Sequence, residues 1–150
     1  MHSVNLKQNL AVVNVVGLCP KFLDDRMPFL QNFAKQHGSV SLKTSLPAVT
    51  SSVQANMLTG ELPQTHGIVG NGWMYPELRI PMFWKQSREL ISAPLIWEKL
   101  KVAHPDFKTA QLFWWFNMYH DAEIQLTPRP IYAANGRKYP DFYSVPQNLR

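Results

Sequence analysis

Thr50 and Asn71 are the residues of this sequence best placed to do chemistry together. Thr50 follows Pro47-Ala48-Val49 and stands where a helix is expected to begin. Asn71 comes twenty-one residues later, in the segment His66-Gly67-Ile68-Val69-Gly70-Asn71. A helix start offers unpaired N–H groups and partial positive charge, so it attracts phosphate. A hydroxyl held there is positioned to attack a phosphorus whose oxygens are already bound. A side-chain amide in the glycine-rich loop adds a further donor to the same phosphate. The alternatives are structural: threonine is a common helix N-cap, and asparagine between glycines is a common turn residue.

The flanking residues carry a resemblance. Pro47-Ala48-Val49-Thr50, then Thr59-Gly60 … Pro63 … His66-Gly67-Ile68, then Asn71, resembles the type I phosphodiesterase/nucleotide pyrophosphatase family of the alkaline phosphatase superfamily, with the spacing kept without gaps. The motifs lie within roughly residues 10–100. Ser51-Ser52-Val53 stands where the family pattern has Phe-Pro-Asn. The resemblance implies Thr50 as nucleophile, also bound to metal as the alkoxide, and Asn71 as the holder of a phosphate oxygen. It implies two divalent metal ions, usually zinc, and a small phosphate-ester or nucleotide substrate.

The same comparison exposes a departure. The family's first metal ligand is an Asp-Gly pair at the end of the first strand, and Val16-Gly17 stands there. Asn14, two residues back, is at best a weak neutral ligand. Asp24 and Asp25 are expected on a connecting loop. His104-Pro105-Asp106 and His120-Asp121 lack a ligand spacing, and the remaining family ligands are expected downstream of Arg150. The chain is therefore expected to be an N-terminal piece whose activity needs those ligands. The alternative is a relative that binds phosphate esters or nucleotides without turning them over.

These residues need elements to position them. Leu10 to Val16 is β-branched and nearly continuously apolar, the pattern of a central parallel strand covered on both faces. Pro28 to His37 is expected as a helix and Ser39 to Leu46 as a second strand. A helix is expected over 51–59, capped by Thr50 and closed by Gly60. Pro63 to Arg88 is expected as a long loop, in which Trp73, Met74 and Tyr75 could stack on a base or cover the core. Pro94 to Ala103 is expected as a helix, Thr109 to Phe116 as a third strand, and the chain after Pro128 as irregular. This alternation predicts an α/β three-layer sandwich with a mostly parallel sheet, alkaline phosphatase-like and incomplete within this chain. Ligands of such sheets sit at the carboxyl ends of strands, where Gly17 and Thr50 would meet. His66 is expected to tie its loop down through hydrogen bonds rather than to bind metal.

Composition sets the outer limits. The 150 residues, 45% of them hydrophobic, suffice for a modest core and exclude a disordered chain. The net charge of +5 is spread thinly, without the basic stripe that specific nucleic-acid binding needs. One cysteine, Cys19, excludes an internal disulfide and favours a reducing, cytoplasmic setting. The apolar segment after Lys7 lacks the charge and cleavage site of a leader. No apolar run approaches the ~20 residues of a membrane span. A sheet cut after its third strand would expose apolar surface, so self-association is expected.

Overall fold

A computed structural model describes residues 9–149, which fall into two compact units, 9–42 and 43–149. The first holds a 3₁₀ turn at Pro20–Phe22 and helix α1 at Pro28–His37. Pro28 opens the helix, where its missing N–H costs nothing. Phe29 stacks on Phe33 at 6.2 Å and Phe33 packs on His37 at 4.5 Å along one side. The helix ends at Gly38, whose N–H donates to the Ala34 carbonyl.

The strand expected over Leu10–Val16 does not form among the described residues, and neither does the one expected over Ser39–Leu46. Val13, Val16, Val40 and Leu46 are exposed instead. A strand exists only as a ladder, and a parallel ladder takes its partner through a long crossover. The apolar pattern specifies burial on both faces but supplies no partner. The meeting of Gly17 and Thr50 at one sheet edge rested on these two strands. Lys7 lies outside the described residues.

The second unit carries the core: Ala55, Leu58, Ile68, Ile91, Ala93, Leu95, Trp97 and Phe116, with Trp73, Trp114 and Trp115 packed against it. Helix α2 spans Thr50–Thr59 and buries Ser51, Ser52, Gln54, Ala55, Leu58 and Thr59. It ends at Gly60 in the left-handed conformation, φ 74°, with the Gly60 N–H on the Asn56 carbonyl. A single helical turn, α3, follows at Pro63–His66, and α4 spans Ile96–Ala103. The Glu98 carboxylate accepts the Leu95 N–H at 2.8 Å and so caps α4. α4 therefore starts two residues later than Pro94.

The expected loop over Pro63–Arg88 contains α3 and a hairpin. Strands β1 (Gly72–Tyr75) and β2 (Ile80–Phe83) pair antiparallel, with Gly72 opposite Phe83 and Tyr75 opposite Ile80. The turn between them uses Arg79 at φ 53°, not the Asn-Gly signal by which short hairpins are recognised. A Cβ on Gly72 would come within 2.3 Å of the Phe83 ring.

A three-stranded sheet has the order β3 (Ala110–Leu112), β4 (Ile124–Pro128), β7 (Phe142–Val145). β3 and β4 run parallel, whereas β4 and β7 run antiparallel. β5 (Ile131–Tyr132) and β6 (Lys138–Tyr139) form a further hairpin, so the chain after Pro128 is more ordered than its prolines predict. The strand expected over Thr109–Phe116 stops at Leu112. Phe113 and Phe116 lie at φ 61° and 58°, which takes the chain out of the ladder. The fold is mixed α/β, built from four helices and small sheets that contain one parallel pair among the described residues.

Candidate functional site

The start of α2 and the loop ending at Asn71 come together within the second unit. Val49, in extended conformation, is the N-cap, and Thr50 is the first helical residue rather than the cap. Two bonds set this entry: Val53 N–H donates to the Val49 carbonyl at 3.0 Å, and Ser52 Oγ donates to the Pro47 carbonyl at 2.9 Å. The Ser52 hydroxyl thus holds the approach to the helix from inside, and its residue is fully buried. Thr50 is half-buried, and its hydroxyl makes no hydrogen bond among the described residues. The helix start therefore presents an uncommitted hydroxyl beside first-turn N–H groups.

Asn71 supplies the missing cap from a distance. Its Oδ1 accepts the Ser51 N–H at 2.9 Å. That bond fixes the orientation of the amide: the oxygen faces the helix, and the Nδ2 hydrogens remain as donors. The Asn71 backbone is held as well, because its carbonyl accepts the Trp84 N–H at 2.9 Å beyond the β1–β2 hairpin. Sequence spacing proposes Thr50 and Asn71 as a pair. The structure adds that they share the first turn of one helix through Ser51.

Two residues of this neighbourhood, Gln54 and Trp84, are not singled out by the sequence pattern. Gln54, one turn after Thr50, accepts the Trp115 N–H at 2.7 Å. Trp115 in turn packs edge-on against Trp84 at 5.4 Å and donates its indole N–H to the Lys85 carbonyl. Trp84 and Trp115 are thereby tied to Asn71 and to α2 respectively. The signal that could have found Gln54 is a polar side chain at helical spacing from Thr50. Of the aromatics expected near the site, Trp73 and Tyr75 stack on each other at 6.0 Å on β1, with Trp73 against the core. Met74 is exposed.

The metal expectation finds no support in side-chain placement. Among the described residues, no group of three or more His, Cys, Asp or Glu side chains is placed to hold a metal ion. Asn14 is an exposed residue of the first unit, and Val16 beside it offers no ligand atom. Asp24 is engaged by Arg26 at 2.7 Å, whose side chain holds its carboxyl below the usual range. His120 uses Nδ1 to accept the Ala122 N–H, and burial pulls its pKa below 6.5. Asp121 pairs with Lys101 at 3.5 Å. His104 closes α4, donating its backbone N–H to the Leu100 carbonyl. The described residues do not fit a two-metal centre.

No helix among the described residues is long and apolar enough to cross a membrane. No curated protein and no solved structure matches the chain. The family model for type I phosphodiesterase / nucleotide pyrophosphatase matches residues 10–148, well past the motifs that carry the resemblance. Members of that family are in general metal-dependent and act on small phosphate esters or nucleotides. With the match spanning nearly all of its residues, the chain belongs to the type I phosphodiesterase/nucleotide pyrophosphatase family.

Proposed function

We propose that the Thr50–Asn71 site binds the phosphoryl group of a small phosphate ester or nucleotide, with Thr50 as nucleophile of a phosphodiesterase or pyrophosphatase. The single observation that carries this reading is the Ser51–Asn71 bond, which commits the Asn71 oxygen to the first turn that Thr50 opens and leaves its Nδ2 hydrogens as donors. The helix start and the amide hold the non-bridging oxygens. Thr50 Oγ forms a bond to phosphorus as the bond to the leaving alkoxide breaks, and the hydroxyl proton ends on the leaving alcohol. Water then cleaves the threonyl ester and restores the hydroxyl.

The reading includes this chain as the N-terminal piece of an alkaline phosphatase-like three-layer sandwich with a mostly parallel sheet. The metal ligands, zinc being the family's usual ion, then come from further chain. The exposed apolar residues of 10–16 and 39–46 support it, since 10–16 has the pattern of a strand covered on both faces and 39–46 alternates loosely like a half-buried strand. A second reading, phosphate-ester binding without turnover, is favoured by Val16 at the position of the family's first metal ligand. The test is hydrolysis of bis(p-nitrophenyl) phosphate, with and without added zinc, alongside Thr50→Ala. Turnover lost in Thr50→Ala supports catalysis. Phosphate binding with no turnover by this chain is expected in both readings. They part when the chain is assayed joined to the metal-ligand-bearing segment: continued lack of turnover there supports the second. Neither binding nor turnover rejects both.

A further inference from the structure

His66 is fully buried and sits between the helix that carries Thr50 and the loop that carries Asn71. Its Nδ1 accepts the Ile68 N–H at 3.0 Å, so Nδ1 carries no proton and Nε2 does. Nε2 lies 2.6 Å from Asn56 Oδ1 on α2. The Asn56 amide is oriented by its other end, which donates to Ser45 Oγ at 2.6 Å. The His66 carbonyl accepts the Ser92 N–H at 3.1 Å, which fixes its backbone. Ile68 is fully buried in the core. The segment 67–71 is thus pinned to α2 at two levels, by His66 on Asn56 and by Asn71 on Ser51.

We propose that His66, as a neutral imidazole protonated on Nε2, is a positioning residue that acts through Asn56 to set the Asn71 amide against the first turn of α2. Four residues, Gly67 to Gly70, separate His66 from Asn71, which leaves little slack in the chain between them. A second proton on the ring would turn Nδ1 into a donor facing the Ile68 N–H and break the bond that orients the ring toward Asn56. Burial opposes that second proton, Glu61 is the charged group that favours it, and the net shift of the His66 pKa is downward. The inference rests on the phosphate-site reading for its consequence, but not for its geometry.

The test is amide hydrogen exchange of the intact chain by NMR, in the native protein and in Asn56→Ala and Asn56→Asp. Asn56→Ala removes the acceptor for Nε2. Asn56→Asp keeps an oxygen there. Exchange at Ser51 is expected to accelerate about tenfold in Asn56→Ala, with Leu58 and Thr59 unchanged, and to return toward the native rate in Asn56→Asp. Uniform acceleration along α2 would mark a merely structural role, and an unchanged Ser51 rate in Asn56→Ala would also overturn the proposal. Imidazole ¹⁵N shifts give a second readout: protonation at Nδ1 in the native protein contradicts it. Titration with inorganic phosphate separates the two levels. A native chain that binds no phosphate removes the phosphate-site reading, while the exchange pattern still decides the role of His66.

Discussion

At the residue scale, the Asn71 side chain has two separable jobs. Its oxygen caps Ser51, which leaves its amide hydrogens as the donors proposed for phosphate. Asn71→Asp keeps an oxygen for the Ser51 N–H and replaces the donors with a negative charge. It is expected to leave stability within about 0.5 kcal/mol of native while reducing inorganic phosphate affinity about tenfold or more. Asn71→Ala loses both jobs and is expected to cost about 1 kcal/mol of stability as well. Urea denaturation and phosphate titration of the two variants check this split, and equal behaviour would contradict it. Spacing singles out Thr50 and Asn71 as candidates, because a motif preserves the sequence distance between groups that must meet. The partners Gln54, Asn56 and Trp84 were not legible, since each is an ordinary polar or aromatic residue until the backbone brings its counterpart within reach.

At the scale of elements, α4 and the 3₁₀ turn at Arg88–Leu90 are held by one side chain. Arg88 donates to both Glu98 oxygens, at 2.6 and 2.7 Å, and to the carbonyls of Ile91 and Ala93. Glu98 in turn caps α4 through Leu95. Burial raises the Glu98 pKa, but the bonds from Arg88 and Leu95 outweigh it and the net shift is downward. Arg88→Met leaves two carbonyls and a half-buried carboxylate without their donor, and is expected to destabilise the second unit by about 2–4 kcal/mol. Thermal or urea denaturation checks it, with Glu89→Gln on the same turn expected to stay within about 0.5 kcal/mol. The helices at 28–37, 50–59 and 96–103 were legible because proline and glycine punctuate them locally. The strands were not, because a ladder depends on a distant partner. Phe113 and Phe116 end β3 through backbone angles that no residue-type pattern announces, and the β1–β2 turn lacks a recognised signature.

At the scale of the whole molecule, protonation and apolar exposure decide behaviour in solution. Burial lowers the pKa of His66 and of His120 below the 6.5 of an unfolded histidine. Between 6.5 and their folded values the unfolded chain binds protons that the folded one does not, so stability is constant above pH 6.5 and falls below it. Glu123 acts at lower pH. The Thr109 N–H and Lys101 hold it at about 2, against 4.5 unfolded, so its contribution is present above 4.5 and lost as pH falls toward 2. Urea midpoints measured from pH 8 to pH 3 are expected to be flat, then decline below 6.5, with a further decline below 4.5. In His66→Gln the first decline is expected to shrink.

The apolar residues of 10–16 and 39–46 lead to a second whole-molecule expectation. Val13, Val16, Val40 and Leu46 are all at least three-quarters exposed, so the chain alone should self-associate with rising concentration in sedimentation experiments. A monomer at all concentrations would contradict the reading of those segments as strands awaiting partners. The helices and the strand starting near Thr109 made the mixed α/β class legible, whereas the runs at 10–16 and 39–46 form no strand and the sheet order was not legible, because it depends on which strands find each other.

The central claim is that the first turn of α2 and the Asn71 amide together hold a phosphate. Its most direct test is a titration of the native chain with inorganic phosphate, followed by NMR at the Ser51 N–H and the Asn71 side-chain amide. Saturable shifts at both groups, abolished in Asn71→Asp, are the expected result. Shifts at neither group, or shifts that persist unchanged in Asn71→Asp, would contradict the claim.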